Sequence, residues 1–386
     1  MDVAARPADP ALKPKRLAQA LVQRLGWLFA FSLVLFGVAN FSPCQRIDLL
    51  LYDTLEPWVR SPSASPQTAI IAIDDASLAR LGRWPWTRDI HAQLIDRLSA
   101  AGVQAIGVAV LFPEPVSGDA LLADSLSRSG RVVLAVAPGP VSPDQHRIRE
   151  IMPVPALAAG AVALGHVDVE LDADALVRRT FRYAGAATAQ WSALSLAVYQ
   201  FVNGQGQGTY RQDVQPLKIS REASHWVRAG EMLLPYPDDQ NVLPVYAAID
   251  VLNDPDLVAA LRGSTVFVGA TAIGLAPGLM TPNADNASPM SAVEFHARAY
   301  EALRNDQVYS TVGSWSALLL SMLMLIPPTI VLSQRLPLYR AMMGSVYLLF
   351  PLLVSALVLK LAGLWLPPTA AMLGFLVGYL WWFAQH

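Results

Sequence analysis

The sequence predicts an α/β domain, with a parallel or mixed sheet and flanking helices, joined to four transmembrane helices, one before the domain and three after it. Two short, almost uncharged runs, Ile70–Ile73 and Val103–Leu111, are typical of buried strands, and a helical pattern lies between them. The chain is also rich in hydrophobic residues (54%) and poor in charged ones (15%), with a mean hydropathy of +0.37. Soluble proteins of 386 residues are rarely so poor in charge, so membrane segments are expected.

The stretch 70–111 organises the predicted domain. Thr87 is a suitable N-cap for the helix between the two strands, and Gly102 lies where a left-handed helix end is expected. A strand, a crossover helix and a second buried strand form a βαβ unit, which predicts a parallel sheet covered by helices. Asp74 and Asp75 follow the first strand at its carboxyl end, where ligands usually bind in open α/β sheets.

Charge and hydropathy divide the chain into four predicted segments. Leu25–Phe41 is apolar except for Ser32 and Asn40, and its 17 residues are just long enough to cross a bilayer. The basic tail before it predicts a cytoplasmic N-terminus. A cleaved signal peptide is the alternative, but no clear small-x-small cleavage site follows. The predicted segments are a cytoplasmic tail (1–24), a first membrane helix (25–43), an extracytoplasmic domain (44–310) and three further membrane helices (311–386).

The last part of the chain predicts three spans. They are Val312–Leu332, Ala341–Leu359 and Pro367–Ala384. Arg335 and Arg340 lie between the first two of these spans, which predicts a cytoplasmic loop there. Both chain ends are then expected in the cytoplasm, and the domain 44–310 is expected in the periplasm or outside the cell. This arrangement is that of a multi-pass protein of the inner membrane of a bacterial cell, with the lipid bilayer as a partner.

The distribution of charge agrees with this arrangement and excludes some functions. Residues 44–310 carry 20 Lys and Arg and 28 Asp and Glu, whereas the two flanks together carry 8 and 2. The formal net charge of −2 argues against general nucleic-acid binding, so no nucleic-acid partner is expected. Cys44 is the only cysteine, so the chain cannot form an internal disulfide or a cysteine-based zinc or redox site. No cofactor is predicted.

The residues after the first predicted strand are the best candidates for a ligand site. They are Asp74, Asp75, Arg83, Trp84, Trp86, Arg88 and His91. The two carboxylates suggest a metal or acid–base pair, although adjacent side chains on an extended backbone point in opposite directions and Asp often caps a helix. The Trp and Arg side chains are compatible with an aromatic, cationic pocket. The sequence slightly favours the alternative, in which the Trp rings form a plug over the sheet with Arg stacked on them.

A second acidic pattern does not predict a metal site. Its alternating carboxylates are Asp168, Glu170, Asp172 and Asp174. The spacing resembles a calcium loop, but Ala173 and Arg179 occupy the positions at which an EF-hand needs Gly and Glu. No metal ligand is therefore assigned.

Several motifs together resemble the type 2 CHASE domain, the cyclase/histidine-kinase-associated sensory extracellular domain. The resemblance extends over Asp48–Tyr309. The motifs are AIDD (72–75), SLARLGRWPWTR (77–88), LFPEP (111–115), GHVD (165–168), DADALVRR (172–179), GATAIGL (269–275) and VEFHA (293–297). Ala109 and Ala175 depart from the family pattern, which usually has Asp and Gly at these positions.

The resemblance implies a membrane-embedded sensory receptor. In that family the sensor domain precedes three membrane helices and a cytoplasmic effector, such as a nucleotide cyclase or a kinase. No effector follows the last predicted span, so the effector is expected on a longer chain or on a separate subunit, and this chain is not expected to be an enzyme. The main alternative is a membrane-anchored extracytoplasmic hydrolase that uses Asp74 and Asp75.

Sensors of this kind usually act as homodimers, and one segment predicts how the two copies meet. Arg46–Arg60 has the pattern of an amphipathic helix with Leu50, Leu51 and Leu55 on one side. We expect two such helices to pair across a two-fold axis through these leucines.

Overall fold

The computed structural model describes residues 37, 41–61, 64–141, 148–205, 222–223, 225–235, 242–275, 278–282, 289–332 and 337–384. The chain divides into two compact units. The α/β unit comprises Glu56–Ser310, and the helical unit comprises Met1–Leu55 together with Thr311–His386.

The secondary structure alternates between strands and helices through most of the α/β unit. The strands are β1 (Thr68–Ile73), β2 (Ala105–Val108), β3 (Val132–Val141), β4 (Ile148–Ile151), β5 (Ala163–His166), β6 (Arg179–Ala186), β7 (Trp191–Ser192), β8 (Glu222–Ala223), β9 (Trp226–Leu233), β10 (Val245–Ala247), β11 (Thr265–Ala270), β12 (Ser310–Thr311) and β13 (Leu364–Trp365). The helices are α1 (Ser42–Val59), α2 (Asp75–Leu81), α3 (Arg88–Ala101), α4 (Asp119–Ser129), α5 (Pro155–Gly160), α6 (Leu194–Val202), α7 (Ala248–Asn253), α8 (Pro255–Ala260), α9 (Ala292–Arg304), α10 (Ser314–Leu332), α11 (Pro337–Ala362) and α12 (Thr369–Ala384).

The main sheet confirms the predicted mixed α/β fold with flanking helices. Within the described residues its strand order is β10–β1–β11–β2–β3–β4–β8, and β5 pairs with β3 beside this row. The strands β10, β1, β11, β2, β3 and β5 are parallel. β4 pairs antiparallel with the end of β3, and β8 pairs antiparallel with β4. A separate antiparallel sheet has the order β7–β6–β9.

The predicted βαβ crossover is present, with one difference in the order of the strands. β1 is followed by α3 and then by β2, and α3 ends at Gly102 in the left-handed conformation expected there. However, β11 lies between β1 and β2 and pairs in parallel with both. Its sequence, TVFVGA, is apolar and largely β-branched, so it is suited to a central strand that is buried on both faces.

Helices bury both faces of the main sheet. On one face Ile71 belongs to an apolar cluster with Leu98 of α3. On the other face Ile70 and Phe267 cluster with Val198 of α6. Successive residues of one strand point to opposite faces, so the adjacent pair Ile70 and Ile71 supplies both cores.

One contact in this core requires glycine. Gly107 of β2 is the register partner of Phe267 of β11. A Cβ atom at position 107 would lie 2.8 Å from two carbon atoms of the Phe267 ring. This distance is too short for any side chain, so glycine at position 107 makes room for the phenyl ring between two neighbouring strands.

The helical unit contains α10, α11 and α12 at the places where the sequence predicts three spans. α11 extends over Pro337–Ala362, so it includes residues before the predicted start at Ala341. Arg340 therefore lies in α11, and Arg335 lies outside the described residues. The first predicted span (25–43) lies outside the described residues except for positions 37 and 41–43. In the part of the chain that the structure describes, no helix has both the length and the hydropathy needed to cross a membrane.

Candidate functional site

The two carboxylates after β1 take different positions. Asp74 is the N-cap of α2, and its Oδ1 atom accepts a hydrogen bond from the Ser77 backbone N–H at 2.8 Å. The Ser77 hydroxyl in turn accepts one from the backbone N–H of Ile249 at 3.2 Å. Asp75 lies in the first turn of α2 and is exposed. Asp74 thus acts as a cap, in agreement with the capping alternative and not with a carboxylate pair at one site.

The Trp residues of the predicted ligand loop pack against one another and against a histidine. Trp86 is only 4% exposed, and its indole N–H donates to the Gly82 carbonyl oxygen at 3.1 Å. The ring centroids of Trp84 and Trp86 are 5.7 Å apart in an edge-to-face arrangement. His91 of α3 lies 5.7 Å from Trp84 and 5.1 Å from Phe112, also edge to face. These distances are typical of favourable aromatic pairs.

Arg88 is held at the rim of the same cluster by three contacts. Its Nε atom donates to Asp119 Oδ1 at 2.7 Å, and an Nη atom donates to the Glu114 carbonyl oxygen at 3.1 Å. The guanidinium carbon lies 4.6 Å from the centroid of the Phe112 ring. Arg88 is buried, so these partners replace water around its charge.

His91 is neutral at physiological pH in this environment. Burial, together with the nearby positive charge of Arg88, lowers the pKa of His91 to about 4. The structure thus brings Trp84, Trp86, Arg88 and His91 into one packed cluster, which we call the Trp-loop cluster. Asp75 and Arg83 are exposed, and Asp74 is used as the cap of α2. This geometry favours the plug, and ligand binding by these seven residues remains a prediction.

A second buried cluster, which the sequence did not predict as a site, is formed around Asp168. The Asp168 side chain is almost fully buried and accepts three hydrogen bonds. One comes from the indole N–H of Trp226 at 3.0 Å. The other two come from Arg228, at 2.6 Å from Nε and 3.0 Å from Nη2. Bidentate arginine–carboxylate pairs of this kind are strong and fix the orientation of both groups.

His166 and His296 complete this His–Asp cluster. His166 Nε2 lies 3.0 Å from the Phe181 carbonyl oxygen, and Nδ1 accepts from the Asp168 backbone N–H at 3.3 Å. His296 of α9 is fully buried, and the Val167 backbone is a hydrogen-bonding group that acts on its ring, although neither ring nitrogen has a partner of good hydrogen-bond geometry among the described residues. Burial lowers the pKa of His166 to about 4 and that of His296 to about 3. Besides burial, His166 lowers and Asp168 raises the pKa of His296.

Two sequence motifs contribute residues to this cluster, but the sequence predicted no site from them. GHVD contributes His166 and Asp168, and VEFHA contributes His296. The two motifs are separated by more than 120 residues, and local patterns do not predict that they meet. Trp226 and Arg228, on β9, belong to none of the quoted motifs.

The acidic DADALVRR motif forms a turn around a buried arginine. Arg178 is almost fully buried and forms ion pairs with Asp172 at 3.0 Å and Asp174 at 2.7 Å. Ala175, the residue after Asp174, has φ +65°, the left-handed conformation that glycine adopts most easily. The usual family Gly at this position therefore has a conformational reason. These carboxylates face arginine, and in the described part of the chain no group of three or more His, Cys, Asp or Glu side chains is arranged to hold a metal ion.

A cleft of about 510 Å³ lies on another side of the α/β unit. Its apolar lining includes Leu81, Ile249 and Leu252, and its polar lining includes Asp96 and Gln93. This volume is within the range of small-molecule sites. Asp96 already binds Arg128 and Ser125 outside the lining, so the cleft offers no free carboxylate at that position.

Comparison with known proteins gives one match. The family model of the CHASE2 domain matches residues 29–329, which is most of the chain. No curated protein and no solved structure matches the chain significantly.

Proposed function

Because the chain belongs to the CHASE2 domain family, we propose that it is a membrane-embedded sensory receptor whose α/β unit senses a stimulus outside the cytoplasm and passes it to a cytoplasmic effector. The family is one of sensory extracellular domains, not of catalytic ones. The match over residues 29–329 carries the proposal, because it includes the whole α/β unit and extends into both parts of the helical unit.

The surface of the helical unit supports embedding in lipid. On α11, four leucines spaced four residues apart, Leu349, Leu353, Leu357 and Leu361, are each more than half exposed. Trp315, Leu319 and Leu323 form a similar exposed row on α10. Residues four apart lie on the same face of a helix, so each row is a continuous apolar strip. Exposure of such strips to water is unfavourable, whereas lipid chains solvate them without cost.

The interior of the helical unit shows the complementary pattern. Asp48 is buried, and its Oδ1 atom accepts the Thr369 backbone N–H at the start of α12, at 2.9 Å. Ser355 is fully buried, and its hydroxyl donates to the Leu366 carbonyl oxygen at 2.5 Å. Polar groups that are turned inwards and paired, together with leucines that are turned outwards, are what a lipid environment favours.

The proposed topology is tested with reporter fusions. A reporter that is active only outside the cytoplasm, fused after Ala64, is expected to be active, and the same reporter after His386 is expected to be inactive. A second reporter that is active only in the cytoplasm should give the reverse result. Activity of one reporter at both positions would contradict the topology.

We also propose that the receptor acts as a homodimer that pairs through α1. Ile47 and Leu50 are exposed on this helix, whereas Leu51 and Leu55 are half-buried and Cys44 is buried. The first two side chains are therefore better placed for pairing than the full set of leucines predicted from the sequence. In membranes, a Leu50→Cys variant that also carries Cys44→Ser is expected to form a disulfide dimer on mild oxidation. The unchanged chain is the control, because Cys44 is buried and should not crosslink.

Sensing itself is tested by joining a nucleotide-cyclase catalytic domain after His386. Cyclase activity in intact cells is then measured while the pH, salt concentration and osmolarity of the medium are changed. We expect at least one of these changes to alter the activity. A fusion that lacks the α/β unit controls for direct effects on the cyclase. The same response with and without the α/β unit would contradict a sensory role for it.

A further inference from the structure

Two segments connect the α/β unit to the rest of the chain, and both contact one carboxylate. The incoming segment is residues 61 and 64–68, and the outgoing segment is residues 301–309. Glu301 lies in the last turn of α9 and is 9% exposed. Its Oε1 atom accepts the Gln67 backbone N–H at 3.0 Å and the Thr68 hydroxyl at 2.5 Å. Thr68 is the first residue of β1, so Glu301 joins the end of one segment to the central sheet.

The other oxygen of the same carboxylate binds the outgoing segment. Glu301 Oε2 accepts from Arg304 Nε at 2.9 Å and from the Asn305 side chain at 3.4 Å. Arg304 also reaches across, and its Nη2 atom donates to the Ser65 carbonyl oxygen at 2.8 Å. Further along, the Gln307 side chain donates to the Ser61 carbonyl oxygen at 2.6 Å. The outgoing segment thus contacts the incoming segment at residues 61, 65, 67 and 68.

The position of Glu301 is unfavourable for the helix alone. The C-terminal turn of an α-helix carries partial negative charge and favours cations, so a carboxylate there is unfavourable unless other groups bind it. Glu301 is also buried, and a buried charge needs a full set of partners. A residue that is unfavourable for its own helix but is stabilised by long-range contacts is a candidate for function.

The outgoing segment has a third attachment, to the antiparallel sheet. The backbone N–H of Leu233 donates to the Tyr309 carbonyl oxygen at 2.8 Å, and the N–H of Tyr309 donates back at 3.0 Å. Leu233 is the last residue of β9, and Trp226, at the other end of β9, binds Asp168 of the His–Asp cluster. The segment that leaves the α/β unit therefore contacts both of its sheets.

We propose that Glu301 is a latch that makes the incoming and outgoing segments one rigid piece. The α/β unit then passes its state to the membrane helices by moving both segments together, and not by sliding one past the other. The inference rests on the proposed sensory function for its biological meaning. The latch itself is a physical property of the α/β unit and is tested without any stimulus.

The test compares hydrogen–deuterium exchange in the full chain, held in lipid nanodiscs, for wild type, Glu301→Ala and Glu301→Gln. Removing the carboxylate should raise exchange about tenfold in both segments, because it holds the Gln67 amide directly and binds the Arg304 and Asn305 side chains of the outgoing segment, so that its loss favours local opening of both. Exchange in β3 and β5 should not change. Glu301→Gln keeps one acceptor oxygen for Gln67 and should give a smaller increase in the same two segments.

Glu294→Ala is the matched control. Glu294 lies on the same helix. Its carboxylate pairs with Arg298, one turn later, at 2.8 Å, and within the described residues it has no contact with either segment. Its removal should leave exchange in both segments unchanged. If Glu301→Ala prevents folding, Gln307→Ala replaces it, since this change removes the contact with Ser61 and should loosen the same two segments to a smaller degree.

Spin labels provide a direct measure of rigidity. In a Cys44→Ser background, labels at the exposed positions Ala64 and Asp306 should give a narrow distance distribution that becomes broad in Glu301→Ala. A distribution that stays narrow, an increase of exchange in only one segment, or an equal increase throughout the α/β unit would each overturn the latch. None of these readouts depends on a response to stimulus or on membrane topology, so a failed latch and a failed receptor proposal are distinguishable.

Discussion

The Trp-loop cluster and the His–Asp cluster each bury histidine beside an arginine–carboxylate ion pair, but the arginine is buried only in the first, since Arg88 is buried and Arg228 is exposed. In the Trp-loop cluster the partners come from residues 82–119, and Arg88 and His91 are surrounded by a carboxylate, a carbonyl oxygen and aromatic rings. In the His–Asp cluster the partners come from distant segments, and in the described residues neither ring nitrogen of His296 has a partner of good hydrogen-bond geometry. Local sequence can therefore specify the first cluster completely, whereas the second depends on the whole fold.

This difference has a physical consequence. A buried polar group without a partner raises the free energy of the folded state, and natural proteins keep few such groups. The packing of the Trp-loop cluster is thus suited to stabilising the fold. The His–Asp cluster retains a fully buried imidazole with poor hydrogen-bond geometry, which makes it the more sensitive of the two to a change in protonation or geometry.

The largest expected effect is that of Trp86→Ala. Removing a large buried aromatic from a plug should lower the free energy of unfolding by about 3 to 5 kcal/mol. Chemical denaturation of the full chain in detergent measures it, and Trp84→Ala, at a half-buried position, should cost less. If Trp86→Ala leaves the stability unchanged but abolishes the response of the cyclase fusion, the Trp-loop cluster is a ligand site and not a plug.

Asp168→Ala should have the next largest effect. It removes the acceptor that Arg228 and Trp226 share. Because the Arg228 side chain is 31% exposed, the loss should be about 2 kcal/mol, below the range for a fully buried ion pair. Asp168→Asn should cost less, because its amide oxygen still accepts one hydrogen bond. The same denaturation measurement applies. A loss below that of the exposed control Asp75→Ala would show that the His–Asp cluster does not contribute to stability.

The buried histidines make stability depend on pH in a defined direction. The pKa values of His91, His166 and His296 are about 4, about 4 and about 3 in the folded chain, below the ordinary value of 6.5. The unfolded chain therefore binds more protons, and stability falls as the pH decreases from 6.5 towards these values.

His296→Leu measures how much of this pH dependence comes from the His–Asp cluster. It should remove a contribution of about 1.4 kcal/mol per pH unit from that slope, or about 2 kcal/mol between pH 6 and 4.5. Because leucine also needs no hydrogen-bond partner, stability at pH 7 should stay close to that of the wild type. Denaturation curves at several pH values check both statements. An unchanged slope would mean that His296 is not a neutral, buried histidine.

The smallest expected effect is a stabilisation by Ala175→Gly. Ala175 has a left-handed backbone conformation, which costs an L-residue other than glycine about 1 kcal/mol. Glycine relieves this cost, so the melting temperature should rise by a few degrees. Ala173→Gly, two residues earlier in the same motif, is the control and should not stabilise. A lower melting temperature for Ala175→Gly would contradict the conformational explanation.

The parts of the fold that sequence could predict are those set by neighbouring residues. The crossover from β1 through α3 to β2, with its end at Gly102, follows from hydrophobic spacing and turn chemistry. Burial of Trp86 follows from the composition of its loop. The insertion of β11 between β1 and β2 does not, because Thr265–Ala270 carries no signal for its neighbours and any buried strand would have the same pattern.

The same distinction between local and long-range contacts applies to the candidate sites. Sequence alone identified the residues of the Trp-loop cluster and the alternative of a plug. It also recorded His166 and His296 as parts of two motifs but gave no reason to place them together. Arg228 and Trp226 stand in an ordinary strand pattern, and only the antiparallel pairing of β6 with β9 brings them to Asp168.

The contact between Gly107 and Phe267 has a consequence for how this protein can evolve. A side chain at position 107 can be introduced only if the ring at position 267 becomes smaller, since the two occupy the same space. Neither substitution is neutral alone, because the first creates a steric clash and the second leaves a cavity. Among diverging descendants of this chain the two positions should therefore change as a pair, although 160 residues separate them in the sequence.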